Sequence, residues 1–208
     1  MPPAAPRPLP RAFFAQPADA LAPALLGHTL ARTEPDGSTT AGVIVETEAY
    51  LGVPDKAAHT YAGHRSPRVE SMYARPGTAY VYFTYGMHHC VNVSAAATGD
   101  PQAVLIRALE ATAGLNAMRP RRSAAHRDRD LASGPAKLTQ ALDITRALDG
   151  TDLAAAASPL RLVSAPETRP VDPAQIATGP RIGIDRAEEW VDKPLRFWLR
   201  GHPCVSRR

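Results

Sequence analysis

The residues from Ala79 to Ser94 constrain the fold more than any other part of this chain. They run AYVYFT, then Tyr85-Gly86-Met87, then HCVNVS from His89. β-Branched and aromatic residues favour strands, and a glycine-containing turn between two such runs favours a hairpin. The pattern therefore predicts a protruding β-hairpin whose tip is at Tyr85 and Gly86.

Other apolar runs predict strands at residues 42–48, 103–109, 181–184 and 195–200, with a weaker one at 160–163. Short helices are predicted at 17–27, 110–118 and 134–142. Proline supplies 21 of the 208 residues, which favours loops and argues against an all-helical bundle. The sum is a mixed α/β (α+β) fold dominated by strands and loops.

The length of 208 residues indicates one domain. We expect a flexible, Pro-rich arm at residues 1–12 and the single domain at 13–208. The sequence contains no apolar run near the ~20 residues of a membrane span, and its proline-broken start does not resemble a signal peptide. Two cysteines, Cys90 and Cys204, make no disulfide framework, so we expect reduced thiols in a cytoplasmic protein.

Positive charge is concentrated at residues 119–137, which hold six Arg or Lys against two Asp. The difference equals the net charge of +4 of the whole chain. Arg207 and Arg208 form a second, smaller basic cluster. Such stretches are either solvated loops or surfaces that follow nucleic-acid phosphates, and charge alone does not separate the two.

Glu46 and Glu48 lie near the end of an apolar strand, where alternation places residues 44, 46 and 48 on one face. A buried carboxylate is costly without a partner, and burial raises its pKa, which suits a general base. The alternative is a solvated strand face. Paired acids also hydrolyse sugar bonds, but closeness in sequence does not establish the spacing that this requires.

Four of the twelve aromatic residues fall between residues 80 and 85. Alternation places Tyr80 and Tyr82 on one face and Phe83 and Tyr85 on the other. We expect Phe83 in the core, and Tyr50 and Tyr82 facing a planar ligand. The Tyr85 ring is expected to point outward, where it can act as a wedge between DNA bases. The alternative is that these are ordinary core aromatics.

His88, His89 and Cys90 are candidate metal ligands by type alone. Neighbouring strand residues point to opposite faces, and the sequence lacks the usual zinc spacings, so we expect no metal site. A metal-dependent hydrolase that uses these three residues is kept as an alternative. The sequence also lacks a P-loop, a G-x-G-x-x-G and a G-x-S-x-G, so no nucleotide cofactor is expected.

Several segments together resemble the alkyladenine type of 3-methyladenine DNA glycosylase. They stand in the family's order and cover most of residues 20–206. The segments are VIVETEAYLG (43–52), AAH (57–59), PGTAYVYFTYGMHHCVNV (76–93), AVLIRALE (103–110), GPAKLTQAL (134–142), RIGI (181–184) and KPLRFWLRG-P-VS (193–206). The long block around YVYFTYGM, joined to VETEAY, makes the resemblance specific.

The resemblance implies a single domain with an antiparallel β core. It also implies a monofunctional enzyme of base excision repair that needs no metal and no cofactor. Its partner would be double-stranded DNA with alkylated or deaminated purines, which a monomer would flip out before hydrolysing the N-glycosidic bond. A damaged base costs less to extrude than an intact one, since it pairs and stacks less well.

The resemblance also implies a role for individual residues. Glu48 would be the general base that activates the attacking water, and Arg107 and the backbone carbonyl of Ile182 would help to hold that water. The remaining residues would form the base pocket and the DNA contacts. Tyr50, His59 and Tyr82 would line the pocket, Asn92 would crowd a guanine amino group, and Tyr85 would fill the gap in the minor groove beside Met87. Apart from the resemblance, the predicted helix start at Gly134 is a candidate phosphate site, with Lys137 beside it.

Three points stay open. The family commonly has T-P-R-N where this chain has Ser66-Pro67-Arg68-Val69, which affects the DNA contacts expected of that loop. A non-catalytic binder of damaged nucleic acid, sharing fold and pocket, is the alternative from another functional class. The presence of both Glu48 and Arg107 argues against it. Side-chain types do not fix which lesions are accepted.

Overall fold

The computed structural model describes residues 6–164 and 170–206, and an antiparallel sheet of nine strands dominates this part of the chain. The strands are β1 Arg7–Pro8, β2 Thr29–Thr33, β3 Thr39–Tyr50, β4 Ala79–Thr84, β5 His88–Ser94, β6 Ala103–Ala113, β7 Leu160–Ser164, β8 Ile176–Gly179 and β9 Arg196–Leu199. Their order is β1-β7-β2-β3-β6-β5-β4, and β9 pairs with both β3 and β8. The predicted mixed α/β fold with an antiparallel core is confirmed.

Four short helices surround the sheet in the described residues: α1 Arg11–Phe14, α2 Ala18–Ala24, α3 Leu115–Arg121 and α4 Pro135–Ala141. Short 3₁₀ turns lie at Tyr61–Gly63, Glu70–Met72, Asp128–Asp130, Arg146–Leu148, Pro173–Gln175 and Glu188–Trp190. Pro135 opens α4, as the sequence predicts. No helix within residues 6–164 or 170–206 has the length and apolar character to cross a membrane.

The long strand β3 organises the sheet. It pairs with β6 along most of its length, and on its other edge with β2 up to Val43 and with β9 from Glu46. One face of these strands packs on the apolar sides of α2 and α4, and we call it the core face. The opposite face carries the cavity described below and is called the cavity face.

The register of β3 with β6 shifts three times, once between Ala41 and Gly42 and twice between Ile44 and Thr47, where two β-bulges lie. Ile44 opposes Leu109 and Glu46 opposes Ala108, so Val45 is the extra residue on β3. Thr47 opposes Ile106, which makes Arg107 the extra residue on β6. A bulge re-aims the side chains around it.

The bulge at Val45 corrects the predicted alternation. Ile44 packs in the main core, and Thr47 donates its hydroxyl to the carbonyl of Ala22 in α2 at 2.8 Å, so both lie on the core face. Glu46 and Glu48 therefore lie on the cavity face, without Ile44. The prediction that residues 44, 46 and 48 share one face was wrong because it assumed an uninterrupted strand.

The predicted hairpin is formed by β4 and β5 at one end of the sheet order. Tyr85 and Gly86 stand at its tip with φ angles of 51° and 67°, and the amide of Met87 donates to the carbonyl of Thr84 at 3.2 Å. A positive φ is uncommon for a non-glycine residue, so the tip is a specific conformation. Val81 and Val91 lie in the main core, which fixes the face of the hairpin.

Two predicted elements differ from the structure. Residues 110–118 are not one helix, because β6 continues to Ala113, which pairs with Ala41, and α3 begins only after Gly114 in the left-handed conformation. Residues 181–184 are not a strand; β8 lies at Ile176–Gly179 instead. Cross-strand pairing overrides the weak preferences read from short segments.

Part of the predicted arm contacts the domain in the structure. Arg7 and Pro8 pair with β7, Leu9 is buried, and Arg11 forms an ion pair of 2.6 Å with Asp152. These contacts hold residues 7–12 against the domain, since an apolar side chain and a charged one both find partners there. Residues 1–5 of the arm lie outside the described residues.

The pairing of β3 with β6 gives a test of the fold. A Cβ at Gly42 would lie 2.7 Å from the carbonyl oxygen of Glu110 and 2.9 Å from Cβ of Leu109. The hydrogen-bonded backbone of β6 cannot move aside as a flexible side chain can. We therefore expect Gly42→Ala to lower the unfolding free energy by about 1–3 kcal/mol. Gly179→Ala is the control, since its Cβ would meet only the Trp198 ring, at 3.1 Å. Urea unfolding curves with equal midpoints for both variants would contradict this packing.

Candidate active site

A cavity of about 230 Å³ opens on the cavity face, beside the hairpin and the loop that follows β3. The sequence-predicted residues that contribute to its wall are Tyr50, His59, Tyr82, Tyr85, Asn92, Arg107 and Ile182. They come from β3, the loop after it, the hairpin, β6 and the segment after β8. The structure thus assembles at one place residues that are up to 132 positions apart in the chain.

Glu48 lies directly behind this wall and is fully buried. Its Oε1 accepts the backbone N–H of Ile182 at 2.8 Å and lies 3.1 Å from Nη1 of Arg107. Its Oε2 accepts the hydroxyl of Tyr50 at 3.0 Å. Three wall residues therefore hold the carboxylate. The contact through the Ile182 N–H was not predicted, and the role expected of its carbonyl stays a prediction.

Burial raises the pKa of Glu48 above the ordinary glutamate value, because a charged carboxylate loses its hydration there. The positive charge of Arg107 and the hydrogen bond from Ile182 act in the opposite direction. Burial also raises the pKa of the Tyr50 hydroxyl, which the charge of Glu48 reinforces, so Tyr50 stays a hydrogen-bond donor. Such a carboxylate is poised to take up a proton.

Arg107 contacts the second buried carboxylate as well. Its Nε donates to Oε1 of Glu46 at 3.0 Å, and Glu46 is as fully buried as Glu48. The bulge at Arg107 lets this side chain reach both acids from β6. The sequence pattern pointed to Glu46 together with Glu48, and no separate role was predicted for Glu46.

A buried ion pair between Asp55 and Arg181 supports the cavity, and the sequence did not identify it. Nη1 and Nη2 of Arg181 lie 2.6 and 2.9 Å from the two carboxylate oxygens of Asp55. Asp55 also accepts the amides of Leu51 and Ala57, which shapes the loop towards His59. Arg181 directly precedes Ile182 in the RIGI segment of the sequence. This position next to a predicted site residue was the sequence signal that could have identified Arg181.

Aromatic rings from the hairpin and the loop after β3 form one side of the cavity wall. The Tyr82 ring packs edge-to-face on His59 at 4.7 Å between centroids and stacks on Tyr80 at 5.3 Å. Nδ1 of His59 lies 2.8 Å from the hydroxyl of Tyr80. Burial lowers the pKa of His59, so its imidazole is neutral at pH 7. Tyr80 and Tyr82 share a face as predicted, but no role was predicted for Tyr80.

Asn92 lies nine-tenths or more buried in the wall, and its Nδ2 donates to the carbonyl of Tyr80 at 3.1 Å. Cys90, on the same face of β5, also lines the cavity, and both cysteines are free and buried. The rigid ladder of β4 and β5 fixes how far these side chains project into the cavity.

The hairpin tip projects beyond this wall. Tyr85 is 82% exposed and Met87 is 68% exposed. Phe83 is 42% exposed and packs against His89 with 4.9 Å between ring centroids. The prediction of Phe83 in the core was wrong, because a large part of its side chain stays exposed near the tip of the hairpin.

The structure does not bring the three candidate metal ligands together. Cys90 pairs with Tyr82 on the cavity face, whereas His89 pairs with Phe83 on the other face, and His88 is exposed. Among residues 6–164 and 170–206, no three His, Cys, Asp or Glu side chains are grouped so that they could hold a metal ion. The alternative of a metal-dependent hydrolase built on these residues has no geometric support.

Internal ion pairs offset much of the charge of the basic stretch. Arg119 pairs with Asp128, Arg127 with Asp130, and Arg121 with the buried Glu34, each at 3.0 Å. These pairs favour the solvated-loop interpretation for the side chains concerned. Arg207 and Arg208 lie outside the described residues.

Lys137 lies exposed in the first turn of α4, with Nζ 3.5 Å from the hydroxyl of Ser133. Pro135 of the same turn lines the cavity. Lys137 itself is not among the residues that line the cavity, and its contact with a phosphate stays a prediction.

Comparisons with known proteins find chains that are similar to this one over most of its length. A family model described as Methylpurine-DNA glycosylase matches residues 12–203. The human DNA-3-methyladenine glycosylase is 47% identical over 202 residues, which cover 93% of this chain and 66% of the human protein. A putative 3-methyladenine DNA glycosylase of Streptomyces avermitilis is 46% identical over 96% of this chain and 91% of its own length. Another putative 3-methyladenine DNA glycosylase, from Burkholderia lata, is 49% identical over 95% of this chain and 90% of its own length.

The burial of Glu48 gives a prediction that does not depend on activity. Since its pKa is raised in the folded state, the unfavourable burial of the charge is absent below the unfolded value near 4.5 and develops as pH rises through the folded pKa. Glu48→Gln mimics the neutral acid. We expect its Tm to exceed that of the wild type at pH 7, with a difference that shrinks as pH falls towards 4.5.

Calorimetry or thermal unfolding across pH 4–8 measures this difference. Glu110→Gln, at an exposed position of β6, controls for the loss of one negative charge. A difference for Glu48→Gln that grows as pH falls has the wrong sign for a carboxylate whose pKa is raised by burial.

Proposed function

The chain belongs to the methylpurine-DNA glycosylase family, and from this premise we propose that it removes methylated purines from DNA by hydrolysing the N-glycosidic bond. The observation that carries the proposal is the buried carboxylate of Glu48, held by Arg107 and Ile182 behind an aromatic cavity. The chain spans 66% of the length of the human relative and 60% of the length of the mouse relative. The activity of those proteins is therefore only proposed for this chain.

The target base has to leave the helix, because the anomeric carbon is shielded within a duplex. Extrusion costs a few kcal/mol, and less for a lesion that pairs poorly. The exposed Tyr85 would enter the space that the base leaves and recover part of that energy by stacking. Met87 would lie against the DNA beside it, and Lys137 would contact a phosphate.

The cavity suits a flat, positively charged base. Tyr50, His59 and Tyr82 present ring faces and edges to it, and ring faces attract cations. Asn92, fixed by the ladder of the hairpin, would crowd the amino group of a normal guanine. A deaminated purine such as hypoxanthine is neutral and fits the same slot, but it leaves less readily than a methylated base.

The hydrogen bonds of Glu48 leave one acceptor position to which the attacking water could donate. A carboxylate offers about four acceptor positions. Arg107 and Ile182 occupy two on Oε1 and Tyr50 occupies one on Oε2, which leaves one without a donor among the described residues. A water there would give its proton to Glu48 as its oxygen bonds to the anomeric carbon. The glycosidic electrons leave with the base, which neutralises a methylated purine.

The cavity wall in the described part of the chain includes no lysine. A water nucleophile is therefore favoured over an amine that would bond to the sugar, which supports monofunctional base removal without strand cleavage. A single copy of the chain supplies every residue of the proposed mechanism, which supports action as a monomer. The sequence-based expectation of a cytoplasmic protein is retained in this proposal.

The central prediction separates binding from chemistry. Glu48→Gln keeps the shape of the side chain but cannot accept the proton, and general-base catalysis typically contributes 10²–10⁴-fold, so we expect single-turnover excision to fall by about that factor. Affinity for duplex with a methylated purine should be unchanged. The assay scores alkali-labile breaks and gel shifts, with Glu110→Gln as the matched control.

An unimpaired excision rate in Glu48→Gln would remove Glu48 from the mechanism. Binding without breaks in the wild type would instead favour the non-catalytic binder.

The hairpin tip gives a second prediction. Stacking of a base on an aromatic ring is worth about 1–3 kcal/mol, so Tyr85→Ala should weaken binding to damaged duplex by about 5- to 150-fold. Single-stranded DNA leaves no gap to fill and should lose much less. Tyr85→Phe keeps the ring and is the control that should bind nearly as the wild type. Fluorescence anisotropy on both substrates decides, since equal losses on the two would contradict the wedge role.

A further inference from the structure

Glu46 is a second, fully buried carboxylate beside the site, and the proposed chemistry gives it no task. Its Oε1 accepts Nε of Arg107 at 3.0 Å and Nη1 of Arg196 at 3.4 Å. Its Oε2 accepts the backbone N–H of Ser206 at 2.7 Å. The carboxylate thus joins β3 to β6, β9 and the C-terminal segment.

All three nitrogens of the Arg107 guanidinium have different partners. Nε faces Glu46, Nη1 faces Oε1 of Glu48 at 3.1 Å, and Nη2 donates to the hydroxyl of Ser206 at 3.4 Å. A guanidinium is planar and its donors point in fixed directions. Engagement of Nε and Nη2 therefore determines where Nη1 points.

The C-terminal segment, residues 204–206, packs at the bulges that bring these groups together. Cys204 and Val205 form a small apolar cluster with Val45 and Ala108. Val45 is the extra residue of the β3 bulge, and Ala108 follows the extra residue of the β6 bulge. The packing places the Ser206 N–H on Glu46.

We propose that Glu46, together with Ser206, is a positioning residue that fixes Arg107 against the general base. It acts through Arg107 and does not touch the reacting atoms. This role rests on the proposed function of Glu48. It also gives residues 204–206 a part in the activity, although they lie outside the cavity wall.

Stability alone does not account for the cluster. A buried ion pair is commonly no more stabilising than apolar residues of the same volume. Here two carboxylates meet two arginines, and Arg196 also lies 4.3 Å from the Trp198 ring centroid. Two bulges interrupt the ladder at the same point. Positioning of Arg107 explains why polar groups and irregular backbone are kept there.

The test compares Glu46→Gln with Glu110→Gln. In Glu46→Gln the amide group opposes one of the N–H donors that the carboxylate accepted, so Arg107 loses its fixed orientation. Misplacement of a group by about 1 Å can cost 10²-fold in rate, and we expect single-turnover excision to fall by about 10- to 100-fold. Affinity for lesion duplex should be unchanged, and the Arg107 Nε–H NMR signal should exchange faster with water.

Ser206→Pro and Ser206→Ala form a second pair that leaves the carboxylate intact. Proline removes both the N–H that bonds Glu46 and the hydroxyl that accepts Nη2 of Arg107, whereas alanine removes only the longer 3.4 Å hydroxyl contact, so excision should slow more in Ser206→Pro than in Ser206→Ala. This pair decides the matter if Glu46→Gln does not fold.

The outcomes separate this proposal from the one it rests on. A wild type that does not excise overturns the proposed function. Normal excision by folded Glu46→Gln or Ser206→Pro overturns the positioning role alone. A loss of rate matched by an equal loss of lesion affinity also overturns it, since a general disturbance of the domain would give that result.

Discussion

The buried carboxylate of Glu48 depends on Arg107, the Ile182 amide and the Tyr50 hydroxyl, which all lie against it. Removing a carboxylate from water is costly, and one compensating charge with two hydrogen bonds offsets part of that cost. The remainder is seen as the raised pKa of Glu48. Incomplete compensation of the buried charge lowers the stability of the folded protein. It also makes the Glu48 carboxylate more ready to accept a proton, so both effects have the same cause.

The sheet is built around this interaction. A regular pairing of β3 with β6 would alternate side chains strictly, and the paired bulges at Val45 and Arg107 break that alternation where the acids stand. Thr47 then anchors β3 to α2 on the core face. The buried pair of Asp55 and Arg181 holds the Ile182 segment and the His59 loop from the other side. Elements distant in the chain thus meet at one carboxylate.

Local patterns predicted what local interactions determine. The hairpin, its tip at Tyr85 and the shared face of Tyr80 and Tyr82 follow from β-propensity and alternation, and the structure has all three. The family resemblance placed Glu48 beside Tyr50 and Arg107, and these residues are in contact.

Long-range interactions account for the rest. A bulge depends on the partner strand, so the face of Ile44 could not be read from alternation. Asp55 and Arg181 form an ion pair although they are 126 residues apart, and no local sequence pattern predicts such a pair. Phe83 was assigned to the core by type, but burial depends on what packs above a strand, and the neighbouring elements leave Phe83 partly exposed. The bond of Glu46 to the Ser206 amide spans 160 residues.

The most direct measurement is a crystal structure of the Glu48→Gln variant bound to duplex DNA that contains one methylated purine. The account predicts that the purine lies between Tyr50, His59 and Tyr82, that the Tyr85 ring fills its place in the duplex, and that the anomeric carbon faces residue 48. A purine that remains stacked in the helix, or one whose sugar faces away from residue 48, would contradict it.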